Sequence, residues 1–215
     1  MKNTYQDEMN LLKDISEILS ADAEQYLAAV KNSDPEMTKY IPNMVKKLAG
    51  KRDLKIKPEY YRTDFVLHKD EDMVTQDLLP NNTSCVDMSD MKLKRIRIAF
   101  EHENHLDKNG GYKEIAHLMI VNADLKVLMG YGDEGGENYD AYAKDYSCIF
   151  RSVNPPDSAT PILLIGEYMP QKDNPSEIRD KPKDNPSVKL DAYLIAPCEL
   201  LQFDWRKEEW SPLKS

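Results

Sequence analysis

The sequence predicts an α/β fold in which a mixed central sheet is flanked by helices. Three observations favour this class: apolar residues recur at helical spacing through the first quarter of the chain, a strand–helix–strand pattern follows in the middle, and further apolar strand patterns lie towards the carboxyl end. The chain has 215 residues, of which 40% are apolar and 31% are charged, a balance that supports a buried core. We therefore expect residues 1–215 to form a single domain.

The first 50 residues predict a helical amino-terminal part. The apolar residues of the first helix are three or four positions apart, namely Met9, Leu12, Ile15 and Leu19. A second helical pattern runs to residue 30, and a capping pattern at residues 33–36 begins a third helix. Proline has no backbone N–H and clashes with the preceding turn, so Pro42 is predicted to break or restart this third helix before it ends near Gly50.

The middle of the chain predicts a strand–helix–strand unit preceded by another strand. Residues 60–69 and 95–104 are rich in aromatic and branched side chains, which is typical of strands. The segment 70–94 between them is longer than a hairpin loop and is expected to hold a short extra element. Residues 112–123 then have helical spacing, and the nearly apolar residues 125–131 predict a buried strand parallel to the one before the helix.

The carboxyl-terminal part, residues 132–215, predicts one more helix and further strands. Apolar residues at helical spacing indicate a helix over 139–150, and residues 161–168 and 189–196 have the composition of buried strands. Between these strands the pentapeptide Lys-Asp-Asn-Pro-Ser occurs twice, which favours a mobile loop near residues 170–187. A tail with three large aromatic residues follows: Phe203, Trp205 and Trp210.

The composition argues against several classes of protein. The formal charge is −9, from 29 Lys and Arg against 38 Asp and Glu, which argues against broad, non-specific nucleic-acid binding. No run approaches the roughly 20 apolar residues of a membrane span, and the acidic first segment lacks the apolar core of a secretory signal. We therefore expect a cytoplasmic protein that does not enter the membrane. Its cysteines, which we expect to be reduced, are too far apart for a zinc or disulfide framework: Cys85, Cys148 and Cys198.

Acidic residues at the end of a predicted strand mark the candidate site. Alternation along residues 95–104 separates an apolar face from a face with charged residues, the first with Ile96, Ile98 and Phe100 and the second with Arg97, Ala99, Glu101 and Glu103. A neighbouring strand lies about 4.8 Å away, so an acid there can share a small cation with Glu101. Asp64, in the middle of the preceding strand pattern, is the candidate. Two carboxylates from adjacent strands suit an octahedral ion with oxygen ligands, such as Mg²⁺.

The order of these features resembles the core of the PD-(D/E)XK nuclease superfamily, which has the restriction-endonuclease-like fold. Helices precede a strand with a lone Asp, a strand ending in Glu-x-Glu, a helix and a parallel strand, and the likeness covers about residues 35–131, with its core at 57–131. The resemblance implies a nuclease that hydrolyses nucleic-acid phosphodiesters with Mg²⁺ or Mn²⁺. It implies that Asp64, Glu101 and the backbone carbonyl of His102 are metal ligands. Glu103 then takes the position that a catalytic lysine usually holds.

The glutamate at position 103 is a departure that leaves two functions open. A lysine at this position helps to orient or deprotonate the attacking water, whereas a carboxylate can act as a base or metal ligand but repels phosphate. Lys113, on the following helix, is a candidate substitute with a catalytic role, although a solvated lysine is the simpler interpretation. The alternative to an active nuclease is a catalytically inactive nuclease-fold module that binds protein or nucleic acid.

Other interpretations concern charge and self-association. Glu101, Glu103 and Arg97 can instead be cross-strand charge partners on a solvated face of the sheet. Two basic groups, within residues 46–57 and 92–97, flank the candidate site and either hold phosphates or form a solvated face. The aromatic tail is expected to pack onto the core or a partner chain, and a homo-oligomer would use Trp205 or Trp210 in its interface.

Overall fold

The computed structural model describes residues 5–32, 34–60, 62–74, 93–103, 110–131, 139–153, 161–166, 190–196 and 199–213. These residues form five α-helices: α1 (Gln6–Ala21), α2 (Ala23–Asn32), α3 (Asp34–Lys51), α4 (Gly110–Ile120) and α5 (Tyr139–Val153). They also form eight strands: β1 (Lys55–Tyr60), β2 (Thr63–His68), β3 (Ile96–Glu103), β4 (Ala123–Tyr131), β5 (Pro161–Gly166), β6 (Leu190–Ile195), β7 (Leu200–Asp204) and β8 (Glu209–Pro212). A short 3₁₀ helix, Asp70–Asp72, follows β2.

All eight strands belong to one mixed sheet, in the order in which they occur in the sequence. The central strands β3, β4 and β5 are parallel, and every other neighbouring pair is antiparallel. Parallel neighbours need a crossover connection, and α4 and α5 lie in the two crossovers. The predicted α/β class, with a mixed sheet flanked by helices, is therefore confirmed.

The helices cover both faces of the sheet. Helices α1, α2 and α3 share one buried cluster with Leu67 and Ile98, whereas α4 and α5 share a second cluster with Val66 and Ala99. Both crossovers advance the sheet in the same direction, so connections of one handedness place α4 and α5 on the same face. Strand residues therefore alternate between the two clusters. Ile96, at the start of β3, is an exception, because it packs in the second cluster and not with Ile98.

Helix α3 continues through Pro42, so the predicted break at this residue was wrong. Ile41, Met44 and Val45, on either side of the proline, are buried in the first cluster. A continuous helix is needed to bring all three side chains to the core. The free energy of that packing outweighs the backbone hydrogen bond that a proline removes.

Three strands were not recognised from the sequence. Strand β1 is mostly exposed at one edge of the sheet, where Pro58 is tolerated and no apolar alternation is required. The aromatic tail forms the hairpin of β7 and β8 at the opposite edge, where Phe203 pairs with Trp210. Because Phe203 is buried in the first cluster, the tail is part of the domain.

Several predictions concern residues outside the described ranges. The loop near residues 170–187 lies there, as do Cys85, Cys198 and most of the segment 70–94. The described part of that segment contains the 3₁₀ helix as its short extra element. Cys148 is exposed and carries a free thiol. Among the described helices, none combines the length and the apolar composition that a membrane crossing requires.

A bidentate ion pair between Arg97 and Asp72 connects β3 to the 3₁₀ helix. Arg97 donates from Nε to Asp72 Oδ2 at 2.7 Å and from a terminal nitrogen to Oδ1 at 2.8 Å. Asp72 is only 4% exposed, and its carboxylate also accepts the backbone N–H of Lys69. The Arg97 guanidinium lowers the pKa of the Asp72 carboxyl to about 2. The pair therefore holds the segment after β2 against the sheet.

We predict that Asp72→Asn lowers the free energy of unfolding by about 2–3 kcal/mol at neutral pH, because Arg97 loses its bidentate carboxylate partner and keeps only Glu71 and Asp124, each at 3.8 Å. The folded pKa of Asp72 lies below the unfolded value of about 3.9. The stabilisation is therefore present above about pH 4 and is lost as the pH falls towards about 2. Urea denaturation of both proteins over this range measures the effect. A difference that stays constant down to about pH 2 would contradict it.

Gly166, the last residue of β5, lies where two tyrosines approach the backbone. A methyl group on Gly166 would lie 2.5 Å from the Tyr26 hydroxyl oxygen and 2.8 Å from the Tyr131 ring. Gly50, near the end of α3, has open space at the corresponding point. The absence of a side chain at Gly166 therefore allows α2 to pack closely on β4 and β5.

We predict that Gly166→Ala lowers the free energy of unfolding by about 1–3 kcal/mol, because the methyl group overpacks the core. Gly50→Ala is the matched control and should raise it by about 0.5–1 kcal/mol, because alanine favours the helix. Urea denaturation compares the two variants with the wild-type protein. Equal stability of Gly166→Ala and the wild type would show that the tyrosines have room to move.

Candidate metal centre

The two acids predicted to share a cation lie side by side on neighbouring strands. Asp64 is on β2 and Glu101 is on β3, and the register, which pairs Phe65 with Phe100, places them at the end of the backbone ladder. At this point hydrogen bonds from backbone N–H groups to carboxylates take the place of backbone–backbone hydrogen bonds between the strands. The Asp64 N–H donates to Glu101 Oε2 at 3.1 Å, and the His102 N–H donates to Asp64 Oδ2 at 2.9 Å. Both carboxylates thus lie on the face that α4 covers.

Glu101 is buried at the centre of this arrangement. Its side chain is 0% exposed, and its Oε1 atom accepts no hydrogen bond from the described residues. Burial of a carboxylate without a donor on one oxygen is costly, and a solvated sheet face would not impose that cost. Arg97, considered above as a cross-strand partner, pairs with Asp72 instead. The solvated-face interpretation was therefore wrong for Glu101.

Helix α4 adds two groups that the sequence analysis missed. His117 Nδ1 lies 3.5 Å from Glu101 Oε1 and 3.1 Å from Glu114 Oε2. Each of these three residues offers a ligand atom, and the three atoms all lie within 4.8 Å of one another. Because Glu114 and His117 are three residues apart, one turn of α4 presents both to β3. A helical acid–histidine pair at this spacing, just after an acid-bearing strand, is the signal that could have identified them.

Burial and neighbouring carboxyl groups raise the proton affinity of Glu101 and Asp64. Burial raises the pKa of Glu101 well above its usual range, and the nearby charges of Asp64 and Glu114 raise it further. Burial also raises the pKa of Asp64, although the hydrogen bond from the His102 N–H opposes this shift. A cation at the cluster would favour the ionised carboxylates and so replace bound protons.

The neighbouring residues of β3 take different places. Glu103 is half-buried at the end of the strand, and its charge helps to raise the pKa of Asp64. The His102 ring lies on the opposite face, edge-on to the Tyr131 ring with 5.8 Å between the centroids. Only the backbone of His102 therefore adjoins the acids. Metal coordination by its carbonyl oxygen stays a prediction.

Two lysines near the site differ in burial. Lys113 is exposed on α4, and its catalytic role stays a prediction. Lys126, in β4, pairs with Ala99 and so shares the sheet face of Glu101. It is only 1% exposed, burial lowers its pKa to about 8, and it forms no ion pair with any residue of the described ranges. The sequence analysis missed Lys126 because the rest of residues 125–131 is nearly apolar.

No protein-family model, curated protein or solved structure matches the chain. Its function is therefore inferred from the side chains of the cluster and the distances between them.

Proposed function

We propose that the chain is a metal-dependent nuclease that hydrolyses nucleic-acid phosphodiesters. The observation that carries this proposal is the pairing of Asp64 and Glu101 on adjacent strands, where each carboxylate accepts a hydrogen bond from the backbone of the other strand. Paired carboxylates provide the oxygen ligands that Mg²⁺ and Mn²⁺ prefer. They also bring concentrated negative charge into a buried place, which favours binding of a cation.

The donor atoms fit such an ion. Glu101 Oε2 and Asp64 Oδ2 each accept one backbone N–H and keep a second lone pair for a cation. With the carbonyl of His102 as a third donor, they would hold an ion that polarises the phosphate and lowers the pKa of a bound water. Glu103, half-buried at the end of β3, would accept the proton of the attacking water.

A second candidate function is a catalytically inactive module that binds protein or nucleic acid. The basic groups considered for phosphate binding are partly engaged within the chain, which favours a module that binds protein. In the first group Lys47 forms an ion pair with Asp22, and in the second group Arg95 forms one with Asp124. Arg97 is held in the ion pair already described. Nuclease activity would then require other residues to hold the substrate.

We predict that Asp64→Asn and Glu101→Gln each lower the Mg²⁺- or Mn²⁺-dependent cleavage of DNA or RNA by about 100-fold or more. Asp145→Asn is the matched control, because Asp145 is an exposed acid on α5 and does not belong to the group of possible ligands. The assay uses single- and double-stranded substrates, with and without a chelator. Absence of cleavage by the wild-type protein, or full activity of Glu101→Gln, would contradict the nuclease proposal. Absence of cleavage with a stable binding partner would favour the inactive module.

We predict that Glu101→Gln also raises the free energy of unfolding of the metal-free protein, by about 1–2 kcal/mol. Burial raises the pKa of Glu101, so the wild-type carboxyl must take up a proton on folding, whereas the amide is neutral at every pH. The amide oxygen still accepts the Asp64 N–H, and the NH₂ group can donate to Glu114. Urea denaturation in the presence of a chelator measures the change. A variant less stable than the wild type would contradict this prediction and would attribute lost activity to unfolding.

A further inference from the structure

We infer that Glu101, Glu114 and His117 form a second metal site, on the α4 side of Glu101, and that it takes a borderline divalent ion such as Zn²⁺ rather than Mg²⁺. The inference goes beyond the proposed function, because binding of this ion does not require that the chain cleaves nucleic acid. The two sites share one residue, Glu101. Its Oε2 atom faces Asp64, and its Oε1 atom faces His117.

The two separations from His117 match a tetrahedral centre, and the ligand atoms of Glu101 and Glu114 lie within 4.8 Å of each other. A zinc ion with nitrogen and oxygen ligands at about 2.0–2.1 Å has neighbouring ligand atoms about 3.3–3.4 Å apart. His117 Nδ1 lies 3.1 Å from Glu114 Oε2 and 3.5 Å from Glu101 Oε1. Small adjustments of the side chains therefore bring all three atoms to one ion.

The orphaned oxygen of Glu101 is an independent indication of a ligand. Oε1 is inaccessible to solvent, accepts no hydrogen bond from the described residues, and lies next to His117. Buried polar atoms in native proteins nearly always have a partner, and a cation is the partner that best offsets the desolvation of a carboxylate. A metal ion between β3 and α4 would satisfy this atom.

The imidazole of His117 determines which ion fits. Nitrogen ligands of this kind suit Zn²⁺, Co²⁺ and similar ions, whereas Mg²⁺ prefers oxygen ligands in an octahedral arrangement. Three protein ligands leave a fourth position for water, as in catalytic zinc sites. The expected occupant is thus an ion of the zinc class with one exchangeable ligand.

Titration of the untagged protein with Co²⁺ and Zn²⁺ tests the inference. Co²⁺ is the spectroscopic probe, because its visible absorption reports the coordination geometry, and competition then measures the affinity for Zn²⁺. Glu114→Gln and His117→Gln each remove one ligand of α4. Ile120→Gln is the matched control, because Ile120 is 74% exposed on the same helix. All proteins also carry Cys148→Ser, since an exposed thiol binds the same ions.

We expect one Co²⁺ or Zn²⁺ ion per chain, with an affinity at least about tenfold lower in Glu114→Gln and in His117→Gln and unchanged in Ile120→Gln. Excess Mg²⁺ should not displace Co²⁺. The inference is overturned if both ligand variants bind Co²⁺ like the wild type, or if Mg²⁺ displaces Co²⁺ readily. Thermal melting without metal identifies a variant that does not fold, and the other ligand variant then decides.

Asp64→Asn distinguishes this inference from the proposed function. The variant removes a ligand of the proposed Mg²⁺ site but keeps Glu101, Glu114 and His117, so its affinity for Co²⁺ should stay within about threefold of the wild type. Binding of Co²⁺ by a chain that cleaves no nucleic acid supports the second site and rejects the nuclease. Cleavage by a chain that binds no Co²⁺ supports the nuclease and rejects the second site.

Discussion

Glu101 lies between β2 and α4 with its carboxylate fully buried, and the neighbouring groups are arranged around that charge. The Asp64 N–H donates to one oxygen, and His117 lies beside the other. A buried carboxylate is tolerated only where protons, hydrogen-bond donors or cations offset its desolvation. The backbone ladder of β2 and β3 ends at this point, and side chains continue the hydrogen bonding between the strands. The need to offset the desolvation of Glu101 therefore affects both the stability of the sheet and the chemistry proposed at the end of β3.

The mixed sheet explains why these groups meet. Strand β3 is antiparallel to β2 on one side and parallel to β4 on the other, and a crossover helix connects β3 to β4. That helix, α4, packs on the face that carries Glu101, and its residues Glu114 and His117 complete the cluster. The opposite face is packed against α1, α2 and α3, where the His102 ring meets Tyr131. Alternate residues of β3 thus pack in the hydrophobic core on one face, and the residues between them, including Glu101, lie on the other face.

The basic side chains considered above form ion pairs mainly with acids other than Asp64 and Glu101. Arg97 is bound to Asp72. Three basic residues at the end of α3 or just after it form ion pairs with Asp14 of α1 and with Asp22, namely Lys47, Lys51 and Arg52. Lys126 shares the sheet face of Glu101 but forms no ion pair with the described residues. These cations therefore do not neutralise Asp64 of β2 and Glu101 of β3. Burial raises the pKa values of both acids, and the charges of neighbouring acids raise them further. In the metal-free chain, bound protons reduce the negative charge of these acids, and cations would neutralise it in both proposed sites.

Local sequence patterns were enough to predict the types of most elements and the neighbouring positions of Asp64 and Glu101, because periodicity and alternation are local properties and adjacent strands bring the two acids together. The remaining features depend on packing between elements that are distant in the sequence. Core packing keeps α3 continuous at Pro42, and sheet edges accept strands that lack an apolar alternation. The place of Glu114 and His117 in the site also depends on tertiary packing. The sequence of a helix alone does not show which side chains will face the sheet, and only the packing of α4 brings these two residues to the buried carboxylate.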